Sequence, residues 1–329
     1  MGVGALVAGL VGCSNGTSGS ASDTWVHAIV TPKGDSGFIL MAQERKFFQK
    51  QGVKVQIKQF TGNIPLNQAL ASGSVDSIET APDPIFDAAQ RGAHEKIIGS
   101  TLPGLTYSLI AKSSVKSFAD LKGKSIGVSQ PGSLPDVAAR AMLKVKGVDP
   151  KSVRAVSVGN DAQRFQALLA GRVDAVAVSP EFVPRLKGQP KLHLLAAAED
   201  LLPNYPRFVI AANSQSLKKK PKAAVAFLAA EMEGISYATK HRDAELALSA
   251  KTLKKPASDP SVAYAYDRII KYHASSPTCE IPTDKLNWLQ QFRLSNGLQK
   301  KKININDIVD SSYRQKALTK VGKEVKAGG

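Results

Sequence analysis

Short polar turns follow most of the apolar, β-rich segments of this sequence, and they hold the side chains best suited to binding chemistry. Six turns combine hydroxyl, amide or carboxylate side chains with backbone-exposing residues: Lys33 to Gly37, Thr61 to Asn63, Thr80 to Asp83, Gln130 to Ser133, Gly159 to Asp161 and Ser179 to Glu181. Hydroxyls and the free N–H groups at a helix start bind anionic oxygens, although the same residue types also cap helices. Taken together, the turns predict a site for a small ligand.

The candidate ligand-binding residues come from these turns and the helix starts beside them: Ser36, Gly37, Phe38, Thr80, Ala81, Asp83, Gln130, Gly132, Ser133, Asn160, Ser179 and Glu181. N–H groups near Gly132 and Ser133 favour an anionic oxygen group such as a sulfonate, a carboxylate or nitrate. The hydroxyls of Ser36 and Thr80 would add hydrogen bonds to it. Acidic side chains beside the same turns would repel a bare anion: Asp35, Glu79, Asp83 and Glu181. We therefore expect a small organic acid that also carries an amine or another donor.

A neutral pyrimidine is the rival ligand. It would stack on Phe38 or Phe182, each of which sits at the start of a predicted helix. Aromatic residues beside apolar neighbours also belong to ordinary cores, so these two rings do not decide between the ligands.

Alternating strands and helices must position these turns. Apolar runs predict strands: Trp25 to Val30, Val53 to Ile57, Val75 to Ile78, Ser125 to Ser129, Val153 to Ser157 and Val173 to Val178. Between them, Leu134 to Lys146 places Val137, Ala141 and Val145 on one helical stripe. This alternation predicts an α/β fold with mostly parallel, doubly wound sheets. Ligands bind at the carboxyl ends of such strands, where the polar turns lie.

An internal repeat divides the chain into two similar halves. Ala69 to Asp76 matches Ala167 to Asp174 as Ala-Leu-x-x-Gly-x-Val-Asp, and each segment is followed by a proline at the same distance. Gly73 and Gly171 are predicted to end the preceding helices. The repeat therefore predicts two lobes with one plan.

Two extended runs, Thr106 to Ala111 and Arg207 to Ala212, interrupt the alternation and are predicted to cross between the lobes. The first lobe would comprise residues 24–108 and 209–329, with a helical C-terminal region, and the second lobe residues 109–208 would be inserted in it. Two crossing strands form a hinge, so the polar turns of both lobes would face one cleft.

The N-terminal segment predicts export. Its apolar run from Val3 to Gly12 is too short to span a membrane and is typical of a signal sequence. Leu10 to Cys13 resembles a bacterial lipobox, which makes residues 1–13 a lipoprotein signal and Cys13 the lipidated residue. Residues 14–23 are rich in serine and glycine and are predicted to be a flexible tether.

Composition and motifs argue against nucleic-acid-binding proteins, metalloproteins and hydrolases. The net charge of +17 permits an anionic partner, but the Lys-rich C-terminal region lacks interleaved aromatic residues or a recognition motif, so we expect no nucleic acid. Two cysteines cannot build a four-thiolate metal site, and the five histidines show no ligand spacing, so we expect no metal and no cofactor. No nucleophile elbow occurs, and we expect no catalytic residue.

The chain resembles the periplasmic or lipid-anchored substrate-binding proteins of ABC importers, in the group for nitrate, sulfonates, taurine and thiamine-pyrimidine precursors. The resemblance rests on Gly37-Phe38, on Gly52-Val53, on both repeat segments, on Ser117 to Val128 and on Asn304 to Tyr313. The resemblance implies a two-lobed type II periplasmic-binding fold that closes on a small solute and delivers it to a membrane permease. We expect a monomer that is not an enzyme.

Two alternatives use the same fold. A pyrimidine-precursor binding protein differs only in its ligand. A pyrimidine-precursor synthase would be an enzyme, but those proteins carry a cysteine-rich cluster that this sequence lacks.

Overall fold

A computed structural model of the protein describes residues 24–30, 33–322 and 325. The predicted lipobox at Cys13 and the tether 14–23 lie outside the described residues. The strands are β1 Thr24–Val30, β2 Lys54–Phe60, β3 Ser77–Thr80, β4 Lys96–Leu102, β5 Ser108–Lys112, β6 Ser125–Val128, β7 Arg154–Ser157, β8 Ala175–Val178, β9 Leu192–Ala197 and β10 Phe208–Ala212.

The described helices lie between these strands and throughout the C-terminal third. They are α1 Ser36–Glu44, α2 Phe47–Lys50, α3 Asn63–Ala71, α4 Pro82–Gln90, α5 Leu134–Val145, α6 Asp161–Leu169, α7 Ala198–Leu201, α8 Ser214–Lys219, α9 Pro221–Lys240, α10 Arg242–Leu253, α11 Pro260–Lys271, α12 Thr283–Ser295, α13 Ile305–Ile308 and α14 Ser312–Val321. A 3-10 helix, Pro180–Leu186, follows β8.

Two five-stranded sheets organise the chain, in the orders β2-β1-β3-β10-β4 and β7-β6-β8-β5-β9. In the first sheet β10 runs antiparallel to both of its neighbours, and in the second sheet β5 does the same. The remaining paired strands are parallel. This arrangement confirms the predicted α/β class with two doubly wound sheets.

The antiparallel strands are the two runs that interrupt the sequence pattern. The chain leaves the first sheet after β4 and enters the second at β5; it leaves the second sheet after β9 and re-enters the first at β10. Each sheet therefore contains one strand, β10 or β5, that the chain enters directly from the other sheet. For this reason these two strands do not follow the regular alternation of strand, helix and strand.

The repeated aspartates perform the same structural task in both sheets. Asp76 accepts a hydrogen bond from the Val26 amide at 2.7 Å and pairs with Lys220 at 2.8 Å. Asp174 accepts one from the Ser125 amide at 3.0 Å and pairs with Lys112 at 3.0 Å. Each carboxylate thus fixes the start of a neighbouring parallel strand. The repeated aspartates therefore stabilise the two sheets, and the repeat does not indicate a ligand contact.

Glycines end the repeated helices as predicted. Gly73 and Gly171 follow α3 and α6 with φ of +72° and +71°, a region that other residues adopt at a cost. The stripe predicted for α5 is buried at Val137 and Ala141, but Val145 is 53% exposed. That part of the prediction was wrong because residues 144–146, at the end of α5 and directly after it, are exposed to solvent, although Leu143 in the same turn is buried.

The C-terminal helices cover the first sheet. Phe227 of α9 lies 5.9 Å from Trp25 and 5.9 Å from Phe48, measured between ring centroids. Gly234 lets α9 approach α1 closely, because a Cβ there would lie 2.6 Å from the Ala42 nitrogen. Within the described residues, no helix combines the length and apolarity that a bilayer crossing requires.

Candidate functional site

A cleft of about 490 Å³ lies between the two sheets. Its walls come from the carboxyl ends of β1, β2 and β3 in the first sheet and of β6, β7 and β8 in the second. Tyr107 and Phe208, where the two connections enter β5 and β10, also line it. The cleft therefore occupies the position at which open parallel sheets bind ligands.

Helix starts in the wall supply backbone N–H groups. Gly62 precedes α3 and has no side chain to cap it. Ser133 precedes α5, but its hydroxyl donates to the Gln130 carbonyl at 2.6 Å, accepts from the Gln130 amide at 3.4 Å, and caps no N–H group of α5. By contrast, Asn160 caps α6 through the Gln163 amide at 3.0 Å. The first turns of α3 and α5 are thus the better placed to bind an anionic oxygen.

Asp161 is the centre of a charged network in the cleft wall. Its carboxylate pairs with Lys33 at 3.2 Å and with Arg164 at 2.8 Å, and accepts a hydrogen bond from the Ser179 amide at 2.8 Å. Burial alone raises the pKa of Asp161, but the two cations and the amide outweigh it and hold that pKa well below its usual range. Asp161 is therefore a fixed negative charge.

Two cations of this network are held in the wall by one acid. Burial lowers the pKa of Lys33, but Asp161 and Tyr107 more than offset it, so the pKa is raised and the lysine stays charged. Arg164 is 2% exposed and also donates to the Ala177 carbonyl at 2.8 Å and to the Tyr107 hydroxyl at 3.0 Å. Together, Lys33 and Arg164 leave a net positive charge beside Asp161.

Arg207 lies beneath the cleft and joins the two connections between the sheets. It is fully buried, and it donates to the Thr106 carbonyl at 2.8 Å and to the Thr106 hydroxyl at 2.5 Å. It also forms an ion pair with Asp35 at the start of α1. The Arg207 guanidinium therefore links the connection before β10 to the connection before β5 and to the turn that carries Lys33.

Three buried hydroxyl groups at the strand ends have no hydrogen-bond partner among the described residues. They are Thr80, the last residue of β3, Ser129 in the cleft wall directly after β6, and Ser179 directly after β8. Buried polar groups normally find partners, so these hydroxyls are suited to a ligand or to water.

The structure places the twelve candidate residues in two groups. Ala81, Gln130, Asn160 and Glu181 line the cleft. The others are not in its wall among the described residues: Ser36, Gly37, Phe38, Thr80, Asp83, Gly132, Ser133 and Ser179. Ser133 and Ser179 are hydrogen-bonded to the wall residues Gln130 and Asp161, whereas Gly132 donates to Asp136, which is not in the wall.

Several of these eight residues make contacts within the fold that explain why an acid, an aromatic ring, a hydroxyl or a glycine occupies the position. Asp83 is fully buried, pairs with Arg293 of α12 at 2.6 Å and accepts a hydrogen bond from Tyr205 at 3.2 Å. Phe38 stacks on Tyr266 with centroids 5.7 Å apart. Ser36 accepts a hydrogen bond from the Lys33 amide at 2.7 Å. Gly37 faces α10, where a Cβ would lie 2.2 Å from Glu245 Oε1.

Important wall residues were not among the candidates. Lys33 and Asp161 belong to turns that the sequence singled out, so their charge could have added them. Arg164, Tyr107 and Arg185 carry no such signal, because they come from the second turn of α6, from a connection and from a 3-10 helix. Their role depends on tertiary placement. Phe182, the second stacking candidate, lines the cleft, and the Arg185 guanidinium lies 4.5 Å from its ring centroid.

The described residues contain no group of three or more His, Cys, Asp or Glu side chains arranged to hold a metal ion. Cys279 is buried and unpaired, and burial raises the pKa of its thiol. His27 is buried too, and burial lowers its pKa to about 3.

Residues 33–245 match the protein-family model described as NMT1/THI5 like. Among curated relatives, a putative binding protein of Brucella abortus is 28% identical over 217 residues, which cover 65% of this chain and 66% of that protein. The matched part is thus just under two thirds of the Brucella protein. A putative aliphatic sulfonates-binding protein of Bacillus subtilis is 25% identical over 324 residues, covering 94% of this chain and 93% of that protein.

An enzyme is also similar over a shorter stretch. The 4-amino-5-hydroxymethyl-2-methylpyrimidine phosphate synthase THI13 of Saccharomyces cerevisiae is 27% identical over 141 residues, 42% of this chain and 40% of that protein.

Among solved structures, the periplasmic nitrate-binding protein NrtA of Synechocystis PCC 6803 superposes with a TM-score of 0.76. The superposition covers 93% of this chain and 91% of the NrtA chain, at 16% sequence identity. The two proteins therefore share a fold.

Proposed function

The chain belongs to the NMT1/THI5-like family, and from that premise we propose that it is an extracytoplasmic substrate-binding protein of an ABC importer. It captures a small organic solute in the cleft between the sheets and delivers it to permease subunits in the membrane. It acts as a monomer and as a binding protein rather than an enzyme. The similarity to the Bacillus subtilis sulfonates-binding protein supports this proposal, since it extends over 94% of the chain.

The charged cleft wall is the observation that carries the proposal. Wall residues from both sheets contribute basic side chains, Lys33, Arg164, Arg185 and Lys255, against the acids Asp161 and Glu181. The uncapped first turns of α3 and α5 add backbone N–H groups to the same wall. This combination favours a sulfonate- or carboxylate-bearing anion over a neutral solute.

Hinge closure follows from the same geometry. The chain crosses twice between the first lobe, residues 24–108 and 209–329, and the second lobe, residues 109–208, and the ion pair of Lys33 with Asp161 joins the two lobes beside the cleft. A solute that contacts both lobes stabilises the closed state, because in the open state it would keep only half of its contacts.

A panel of ligands tests the solute class. We expect ethanesulfonate, taurine or a small carboxylate to raise the melting temperature, because a ligand at about 100 times its Kd stabilises the folded state by roughly 2.7 kcal/mol. Nitrate and 4-amino-5-hydroxymethyl-2-methylpyrimidine complete the panel, and chloride at equal ionic strength controls for general screening of a protein with net charge +17. A shift with uncharged heterocycles alone contradicts the anion proposal.

The pyrimidine alternative is favoured by one observation. Phe182 lines the cleft with Arg185 over its ring, and such a pair accommodates a flat heterocycle by stacking. A response to the pyrimidine alone would support this ligand, and formation of the pyrimidine phosphate as a product would support the synthase alternative.

We also propose that Cys13 is lipidated and anchors the protein to the membrane, on the strength of the lipobox-like Leu10 to Cys13. Replacing Cys13 by Ala is expected to move the exported protein from the membrane fraction to the soluble fraction, since a lipid anchor supplies the affinity for the bilayer. Fractionation and fatty-acid labelling measure this, with Cys279→Ala as the matched control that remains anchored. Membrane association of the Cys13→Ala protein at the original level would contradict the anchor.

A further inference from the structure

Glu181 of the second lobe lies in the seam where the two lobes touch beside the cleft. It belongs to the 3-10 helix Pro180–Leu186 and is 6% exposed. Its Oε1 accepts a hydrogen bond from the Gly34 amide of the first lobe at 3.3 Å. Its Oε2 is buried and has no hydrogen-bond partner in the part of the chain that the structure describes. A Cβ on Gly34 would lie 3.2 Å from that oxygen, so the carboxyl is pressed against the opposite lobe.

The charged groups that act on this carboxyl are Lys33 and Asp35 before α1 and Asp161 at the start of α6. The elements packed on the 3-10 helix also carry titratable groups: Asp267, Arg268 and Lys271 of α11, Lys112 of β5 and His193 of β9. Arg185 lies on the 3-10 helix itself, and Glu245 belongs to α10. Arg268 is paired with Glu199 at 2.5 Å, and Asp267 with Arg242 at 3.3 Å. Glu245 accepts a hydrogen bond from Ser249 at 2.6 Å, within the first lobe.

The nearer of these charges disfavour an ionised Glu181. Burial raises its pKa first, and the carboxylates of Asp35 and Asp161 raise it further, to about 7, although Lys33 acts in the opposite direction. The burial of Oε2 and the repulsion by Asp35 depend on Gly34 and Asp35 of the first lobe, whereas Asp161 belongs to the second lobe with Glu181.

We propose that Glu181 is the proton-binding residue of lobe closure, so that the cleft closes on its solute with this carboxyl protonated. The inference rests on the proposed function, since it requires that the lobes open and close. The proton comes from the solvent and adds to the Glu181 carboxylate, and it returns to the solvent when the lobes separate. Solute affinity is therefore linked to pH through this one residue.

The sign of the linkage follows from the two states. In the open state the carboxyl regains water and its pKa falls towards the ordinary 4.5. In the closed state the pKa is about 7. Closure therefore takes up a proton between these values, and affinity is highest at low pH, falls as the pH rises from about 5 to about 7, and is level above that. Asp161 and Lys33 do not titrate in this window, because their pKa values are shifted away from it.

Calorimetric titration with ethanesulfonate, whose charge is constant over this window, measures the effect. We expect the Kd of the unaltered protein to rise on the order of tens of fold between about pH 5 and about pH 8. The Glu181→Gln variant keeps the size of the side chain and cannot ionise, so its Kd is expected to vary less than about threefold over the same range. Equal pH dependence of the two proteins overturns the proposal.

Glu245→Gln is the matched control. Glu245 is also buried, with a pKa raised to about 8 by burial and then by Asp35, but its bonded partner Ser249 belongs to the same lobe. This variant is expected to keep the pH dependence between about pH 5 and about pH 7. Loss of that dependence in Glu245→Gln would overturn the assignment to Glu181.

A second measurement follows the carboxyl itself. In protein labelled with carboxyl carbon-13 glutamate and saturated with the strongest ligand of the panel, the signal absent from Glu181→Gln is expected to titrate near 7, as the described contacts require. In the ligand-free protein, where the lobes can separate, its midpoint is expected to lie lower, towards the ordinary 4.5. A midpoint near 4.5 in the saturated protein overturns the proposal. A midpoint near 7 with the pyrimidine as the strongest ligand supports Glu181 and contradicts only the proposed solute class.

Discussion

Replacing Arg207 by Ala is expected to lower the free energy of unfolding by about 3–5 kcal/mol, the cost of removing one partner from a buried ion pair. Arg207 is fully buried, and its loss leaves the Asp35 carboxylate buried beside the acids Glu79 and Glu181. The Thr106 carbonyl and hydroxyl lose their donor as well. Denaturant unfolding followed by circular dichroism measures the change.

Two further variants make this prediction specific. Arg207→Lys keeps the charge but not the guanidinium fork, so we expect an intermediate loss and a protein that still folds. Arg242→Ala is the control, because Arg242 and Asp267 form an ion pair whose side chains are 47% and 59% exposed. Such a pair contributes at most about 1 kcal/mol. Similar losses for Arg207→Ala and Arg242→Ala would contradict the structural role of Arg207.

Replacing Lys33 by Met is expected to weaken binding of the best anionic ligand by about 10- to 150-fold, equivalent to a charged hydrogen bond of about 1.5–3 kcal/mol. Lys33 lines the cleft and neutralises Asp161 at 3.2 Å. Its loss both removes a cation and leaves Asp161 with less compensation, so the wall becomes less attractive to an anion. Calorimetric titration at constant pH measures the affinity.

Lys112→Met is the matched control for this experiment. Lys112 also pairs with an aspartate, Asp174, at 3.0 Å, and its side chain is 29% exposed against 21% for Lys33. It lies away from the cleft wall at the end of β5. We expect its variant to bind the ligand as the unaltered protein does. An equal loss in both variants would mean that Lys33 acts through general charge rather than through contact.

The sequence predicted most of the scaffold because its signals are local. Apolar runs, polar turns and the repeated Gly-x-Val-Asp segments depend on neighbouring residues, and they predicted β1, β2, β3, β6, β7 and β8 to within a few residues. The two interrupting runs became β5 and β10, the antiparallel strands. By contrast, β4 and β9 were not predicted as strands.

The candidate site was less predictable because its chemistry depends on pairs that are distant in the chain. Asp83 is an acid beside a polar turn, but Arg293 of α12 pairs with it and makes it part of the core. Asp35 and Arg207 meet only when the second connection returns to the first sheet. Local sequence shows which residues are polar, whereas packing decides which of them face the cleft.

A crystal structure of the protein with the strongest anionic ligand of the panel tests the central claim most directly. We expect the anionic group in the cleft, within hydrogen-bond distance of Lys33 or of the first turn of α3 on one lobe, and of Arg164 or the first turn of α5 on the other. Contacts from both lobes would show that closure and binding are one event. A ligand bound outside the cleft, or held by one lobe alone, would contradict the account.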